Sequence, residues 1–230
     1  MTPFVLVPGL NCDARVYAGV AQALWPAGPV TIANHRIAGS MQDIAAAILA
    51  DAPPRFTLMG FSMGGYIAFE MLRQARDRIS GLILLDTSAR PDSAEATDNR
   101  RRMIALARKG RFIETINQSF PRAVHISNRE NSDIYAVHRG MAEANGPEMY
   151  EAHQEAIIGR ADSRGDLAGI GVRTLIIVGE GDEITPPEIA EEMHRGIAGS
   201  VLTVIPRAGH MALIEQPELV QDALRAWVAG

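Results

Sequence analysis

Short apolar runs without alternating polar residues punctuate the chain at residues 4–7, 30–33, 56–61, 82–85, 175–178 and 201–205. Unbroken Val, Ile and Leu over so few positions suits a strand covered on both faces; a half-exposed strand would show period two. Between these runs, residues 14–25, 41–51, 64–75, 186–195 and 218–228 repeat their apolar positions with helical period. Asp13 and Ser40 precede two of them and carry the oxygens that cap free helix N–H groups, and Pro217 precedes the last. Strand, helix, strand in repetition demands crossover connections. The pattern predicts an α/β fold, a mostly parallel sheet of about six strands flanked by helices.

The alternation breaks once, over about residues 88–171, where no strand-like run occurs and the sequence turns polar and helical. Helices are expected over residues 94–109, 111–120, 133–144 and 148–158, separated by Gly110, Pro121 and Gly146-Pro147. So long a structureless loop is rare in a compact domain, so the segment reads as an inserted helical cap. With 230 residues in total, the expectation is one domain, 1–230, with this cap inserted.

The net charge of −5 offers no broad attraction for phosphate backbones or anionic membranes, so neither nucleic acid nor a membrane is an expected partner. Lys109 is the only lysine, and no GxxxxGK[ST] phosphate loop is present. Cys12 is the only cysteine, which excludes an internal disulfide and thiolate metal clusters. Nothing around Cys12 would activate its thiol, so it reads as a small packed side chain. The opening MTPFVLVPGL reads as a strand rather than a signal peptide, and no apolar run approaches membrane-span length. A soluble cytoplasmic protein is expected; the oligomeric state stays open. The cap holds twelve basic and twelve acidic residues, so Arg100–Arg102 reads as a solvated helix face. Its apolar positions, Met103, Leu106, Phe112, Ile116, Phe120, Met141 and Met149, read as the roof of a pocket for an uncharged substrate group.

The sharpest local signal is GFSMGG, Gly60–Gly65, at a predicted strand-to-helix turn. A nucleophilic serine on such a turn sits in strained backbone where neighbouring side chains would collide, hence glycines at 60 and 64. At the helix N-terminus the free N–H of Met63 aims at developing negative charge. Phe61, beside the serine, is a candidate substrate contact. A serine hydroxyl needs a base and a carboxylate to orient that base. Among six histidines, His210 follows the last predicted strand, at the sheet edge where parallel sheets place their sites. His35 also follows a strand but between Asn34 and Arg36 reads as a surface-loop residue, His125, His138 and His153 fall in the cap, and His194 lies on a helix face. For the acid, Asp182 follows a strand in GEGDEITP, with Asp86 as its rival after another strand. A second oxyanion donor is expected from Pro8-Gly9-Leu10-Asn11, with the Leu10 N–H as candidate and Asn11 and Met211 beside the substrate.

With LVPGL near the start, GFSMGG, LILLDTS before the cap, GEGDEITP and RAGHMALIEQPE in this order, the chain resembles the α/β-hydrolase fold superfamily, in its branch of small capped esterases and enol-lactonases. The resemblance implies a Ser62, Asp182, His210 triad, an oxyanion hole from Leu10 and Met63, no cofactor, and a sheet lacking the family's N-terminal strands; the absence of any HxxxH or HExxH spacing makes a metal an unexpected ligand. Pro8-Gly9 stands where the family often has His-Gly. The implied activity is hydrolysis of a carboxylic ester or lactone of a small, largely apolar substrate through an acyl-enzyme. Alternative readings are a non-hydrolytic enzyme of the same fold (acyltransferase, cofactor-free haloperoxidase, carbon–carbon bond hydrolase or hydroxynitrile lyase) and a ligand receptor with a slow triad.

Overall fold

Six strands are present in the computed structural model, which describes residues 1–230: β1 (Phe4–Val7), β2 (Val30–Ile32), β3 (Phe56–Phe61), β4 (Ile79–Leu85), β5 (Thr174–Gly179) and β6 (Val201–Ile205). They form one sheet in the order β2-β1-β3-β4-β5-β6, with every neighbouring pair parallel. Eight α-helices accompany it: α1 (Met41–Asp51), α2 (Met63–Ala75), α3 (Ala94–Leu106), α4 (Phe112–Ala123), α5 (Ser132–Ile158), α6 (Pro187–Gly196), α7 (Ala212–Glu215) and α8 (Pro217–Ala229).

The apolar runs are unbroken because both sheet faces are covered. Alternate residues part to the two sides. Leu58, Leu82, Leu84, Ile176 and Val178 pack with α1, α2 and α6, while Met59, Phe61, Ile83, Leu85 and Ile177 pack with α7, α8 and the segment after β1. At the sheet edges coverage fails. Val201 and Val204 of β6 stand half-exposed although their run reads as apolar as the central ones.

The chain leaves β1 for β2 on one side and later returns to β3 on the other, which makes the carboxyl ends of β1 and β3 the switch point where open α/β sheets bind ligands. Between β4 and β5 the helices α3, α4 and α5 form the inserted segment, with an apolar cluster of their own from Ala107, Phe112, Ile116, Ala142 and Tyr150.

Three elements depart from the pattern. Residues 14–25 form two 3₁₀ turns, Ala14–Tyr17 and Ala21–Ala23, with Gly19 between them packed close to Pro217. Pro121 does not end its helix. It lies inside the last turn of α4, where one missing N–H costs little while Phe112, Ile116, Phe120 and Ala123 are buried along one face. Gly146 breaks the backbone as expected (φ 82, ψ 166), yet the two halves run on as α5. No helix is long and apolar enough to cross a membrane.

Candidate active site

The turn between β3 and α2 puts Ser62 at φ 52, ψ −115, a left-handed backbone that few non-glycine residues adopt. Three contacts hold it there. Ser62 N–H donates to the Leu85 carbonyl at 2.9 Å, Thr87 Oγ1 donates to the Ser62 carbonyl at 2.7 Å, and Gly65 N–H closes the turn on the same carbonyl at 2.9 Å. Thr87 carries no obvious mark in the sequence; its role depends on its meeting Gly65, where any Cβ would strike it.

Ser62 Oγ lies 2.8 Å from His210 Nε2, and His210 Nδ1 lies 2.8 Å from Asp182 Oδ2. Asp182 is buried, and its carboxylate accepts from Ile184 N–H at 2.7 Å, Thr185 N–H at 2.9 Å and Thr185 Oγ1 at 2.7 Å. Burial alone would raise the Asp182 pKa. The His210 charge, the bond to its ring and the Thr185 donors outweigh that and hold it below the ordinary carboxylate range. Asp86 is set apart from this chain. It is buried, one oxygen accepts from Gly179 N–H at 2.8 Å and the other has no partner. Burial first, then the neighbouring Asp182 charge, pushes its pKa well above the carboxylate range, which favours a neutral acid.

The His210 loop is pinned by a residue that sequence reasoning missed. Glu215 accepts from Gly209 N–H at 2.7 Å on one oxygen and from His125 N–H and Asn128 Nδ2 at 2.7 and 2.8 Å on the other. One carboxylate thus ties the histidine loop to the cap. The spacing Asp182-x-x-Thr185, typical of a side chain capping its own turn, is the signal that marks Thr185 in the sequence.

The loop after β1 closes a turn from Cys12 N–H to the Gly9 carbonyl at 3.1 Å, with Asn11 at φ 60. A Cβ on Gly9 would lie 3.1 Å from Ser62 Cβ, so the loop passes directly against the serine. Neither the Leu10 nor the Met63 N–H has an acceptor within the protein. These two free donors flank Ser62 from two elements.

A cavity of about 1070 Å³ opens over Ser62 and His210. Of the expected substrate contacts, Asn11, Phe61 and Met211 line it, together with Leu10, Cys12 and Tyr66. Phe120 and Met141 do not; they are buried in the cluster shared with α7 and α8. The roof differs from the expectation for the same reason: Phe112 and Ile116 are consumed by the cap's own core, and of the named apolar cap positions only Met103 reaches the cavity. The outer lining is polar and charged, with exposed Glu95, Asp98, Arg102, Gln118 and Arg122. Arg100 turns inward to the cavity wall, bonding Asp92 Oδ2 at 3.0 Å and Gln154 Oε1 at 2.7 Å, so only part of Arg100–Arg102 is a solvated face. No three His, Cys, Asp or Glu side chains converge to hold a metal ion.

Residues 4–223 match the model of the alpha/beta hydrolase family. The chain belongs to that family. This alpha/beta hydrolase is 35% identical to a thermophilic esterase from Thermogutta terrifontis solved with malate bound, covering 100% of this chain and 90% of that one with a TM-score of 0.88. A pimeloyl-[acyl-carrier protein] methyl ester esterase of Neisseria meningitidis serogroup B is 27% identical over 223 residues, 90% of this chain and 84% of the relative. The enol-lactonase from Burkholderia xenovorans LB400 shares the fold at 23% identity and a TM-score of 0.88, over 100% of this hydrolase and 92% of that chain.

Buried histidines of this hydrolase set its acid stability. His35, His138 and His153 are buried rather than solvated. Burial, with His153 alongside, brings His35 down to about 3; burial, with His210 nearby, brings His138 down to about 4. Above pH ~6.5, the ordinary histidine value, folded and unfolded chains are both neutral at these rings. Below it the unfolded chain takes up protons that the folded chain refuses, so stability is lost as pH falls from about 6.5 toward 4. The expected slope is roughly 1 kcal/mol per pH unit for each such ring. Urea unfolding between pH 7 and 4.5 measures it, and His138→Leu should flatten the slope; an unchanged slope in that variant would rule out His138 as a source.

Proposed function

We propose that this protein is a serine hydrolase of carboxylic esters, with lactones in the same chemical range. The observation that carries the reading is the continuous line Ser62 Oγ, His210 Nε2, Asp182 Oδ2, with 2.8 Å at each step, at the base of an open cavity. The esterase names of relatives across nearly the whole chain support it. Ser62 Oγ attacks the ester carbonyl carbon while its proton passes to His210 Nε2, and Asp182 holds the ring with Nδ1–H toward itself and stabilises the imidazolium. The carbonyl oxygen gains the negative charge and receives the Leu10 and Met63 N–H groups. The tetrahedral adduct collapses, His210 protonates the departing alcohol oxygen, and an acyl-Ser62 ester remains. Water attacks that ester with His210 again taking the proton, which releases the acid and restores the serine.

Leu10, Phe61, Tyr66 and Met211 offer apolar surface next to Ser62, whereas the outer wall offers Arg102 and Arg122 among acidic and amide neighbours. The substrate class that fits is an ester with an apolar chain at the reacting end and a polar group farther out, rather than a wholly apolar one. Reaction with a fluorophosphonate followed by peptide mass spectrometry tests the nucleophile. One adduct on the Ser62 peptide, together with loss of turnover across methyl and p-nitrophenyl esters and lactones, is expected. An adduct elsewhere, or turnover that survives full labelling of Ser62, would overturn the reading.

A further inference from the structure

Two buried histidines take no part in the line from Ser62 to Asp182; one is bonded to the loop that carries Leu10 and the other is bonded to and stacked on the first. His35 follows β2, and its Nε2 lies 3.1 Å from the Gly9 carbonyl oxygen. His153, on α5, brings Nε2 to 2.9 Å from the His35 carbonyl oxygen and stacks on its ring, with centroids 5.1 Å apart and planes 25° from parallel. A carbonyl only accepts, so both rings carry a proton on Nε2. From the same helix, Asn145 Nδ2 donates to the Cys12 carbonyl at 3.1 Å. The two carbonyls that bound the Gly9–Cys12 turn are thus each held from outside it, one by His35 and one by the cap.

The peptide plane converts this into a statement about Leu10. In a trans peptide the carbonyl oxygen and the following N–H point in opposite directions, and the chain has no cis peptide bond. Holding the Gly9 oxygen on His35 therefore fixes the Leu10 N–H on the opposite side of the loop. The Leu10 N–H finds no acceptor in the protein, and the loop lies against Ser62. The Cys12 N–H alone leaves the peptide free to tilt about the turn; a second donor at the same oxygen removes that freedom.

We propose that His35 is a positioning residue for the oxyanion donor at Leu10, locked in place by His153 of the cap, so that α5 helps set the geometry of the hole. This rests on the serine-hydrolase reading. Its consequences are specific to the transition state, because the charge on the carbonyl oxygen develops there.

The test is a His35 series. His35→Leu keeps bulk without a donor, and His35→Gln restores an N–H at similar reach. His35→Leu is expected to lower kcat about 10- to 100-fold with KM within about twofold, less than the loss of a whole oxyanion donor. Affinity for a trifluoromethyl ketone, whose adduct places an oxyanion in the hole, should fall by the same factor. His35→Gln should recover most of both losses, and His153→Phe, which keeps the stack and loses the donor, should fall between. The amide ¹⁵N signal of Leu10 in the unliganded protein should move in His35→Leu and return in His35→Gln. A kcat within twofold of wild type in His35→Leu overturns the proposal, as does a kcat loss with unchanged ketone affinity, the mark of a merely structural role. If His35→Leu folds poorly, His35→Gln and His153→Phe decide by the same comparison of kcat with ketone affinity. Turnover that persists in Ser62→Ala would instead overturn the reading beneath it, and the Leu10 signal still reports whether His35 orients that peptide.

Discussion

Ser62→Ala is expected to lower kcat for ester hydrolysis by at least about 10⁴-fold, with the fold and the unfolding midpoint close to wild type. The variant removes the only oxygen in line with His210 Nε2, at 2.8 Å, and leaves the cavity and the two free N–H donors in place. What survives is the rate that substrate binding and the oxyanion hole supply alone. The acid in the line is tested in the same assay. Asp182→Asn should cost a comparable factor, because an amide N–H donated to His210 Nδ1 favours the tautomer with the proton on Nε2, so the nitrogen facing Ser62 can no longer accept its proton. Asp86→Asn should change kcat by only a few-fold: Asp86 bonds the Gly179 N–H, does not touch the ring, and already favours its neutral form. Steady-state kinetics on one activated ester separates these outcomes. Equal losses in Asp86→Asn and Asp182→Asn would assign the acid wrongly, and activity above one-hundredth of wild type in Ser62→Ala would remove Ser62 as the nucleophile.

The difference between the two aspartates shows where sequence reading reaches its limit. Both follow strands and both are buried; the chain order, with the acid one strand before the base, favours Asp182 but does not show what holds Asp86 off the ring. Separation comes from the turn: Asp182 heads a loop whose Thr185 and Ile184 donors aim its second oxygen at His210, whereas Asp86 sits at φ 42 with its carboxylate turned under Gly179. The strands were legible because burial on both sheet faces writes itself as an unbroken apolar run, and α1 because Ser40 and Asp43 complete a capping box. His35 was not legible. Its flanking Asn34 and Arg36 mark a surface loop, and only the return of α5, more than a hundred residues later, buries it against His153. The same non-local packing hides the fate of Phe120 and Met141. Their apolar character predicts burial correctly, but it cannot say whether the partner is a substrate or the protein's own core.

Gly64→Ala is expected to destabilise the protein by about 3 kcal/mol or more, or to leave it unfolded, and to abolish activity in either case. A Cβ at Gly64 would collide with the Val7 carbonyl, part of β1, and would also lie 3.0 Å from the Pro8 carbonyl oxygen. Both obstacles are backbone, so no rotamer change relieves them. Either β1 must shift away from β3, which breaks the central parallel pair, or α2 must lift from the sheet. Each movement carries Ser62 with it, because its N–H is bonded to Leu85 and its carbonyl to Thr87 across the same junction. Gly165→Ala supplies the contrast: nothing lies within 4 Å of the Cβ it would add, so its stability should stay within about 0.5 kcal/mol of wild type. Urea unfolding of the two variants measures the difference directly. If Gly64→Ala unfolds within 1 kcal/mol of Gly165→Ala, then the close approach of α2 to β1 is not what demands glycine at that position, and the nucleophile turn tolerates a wider junction than this packing implies.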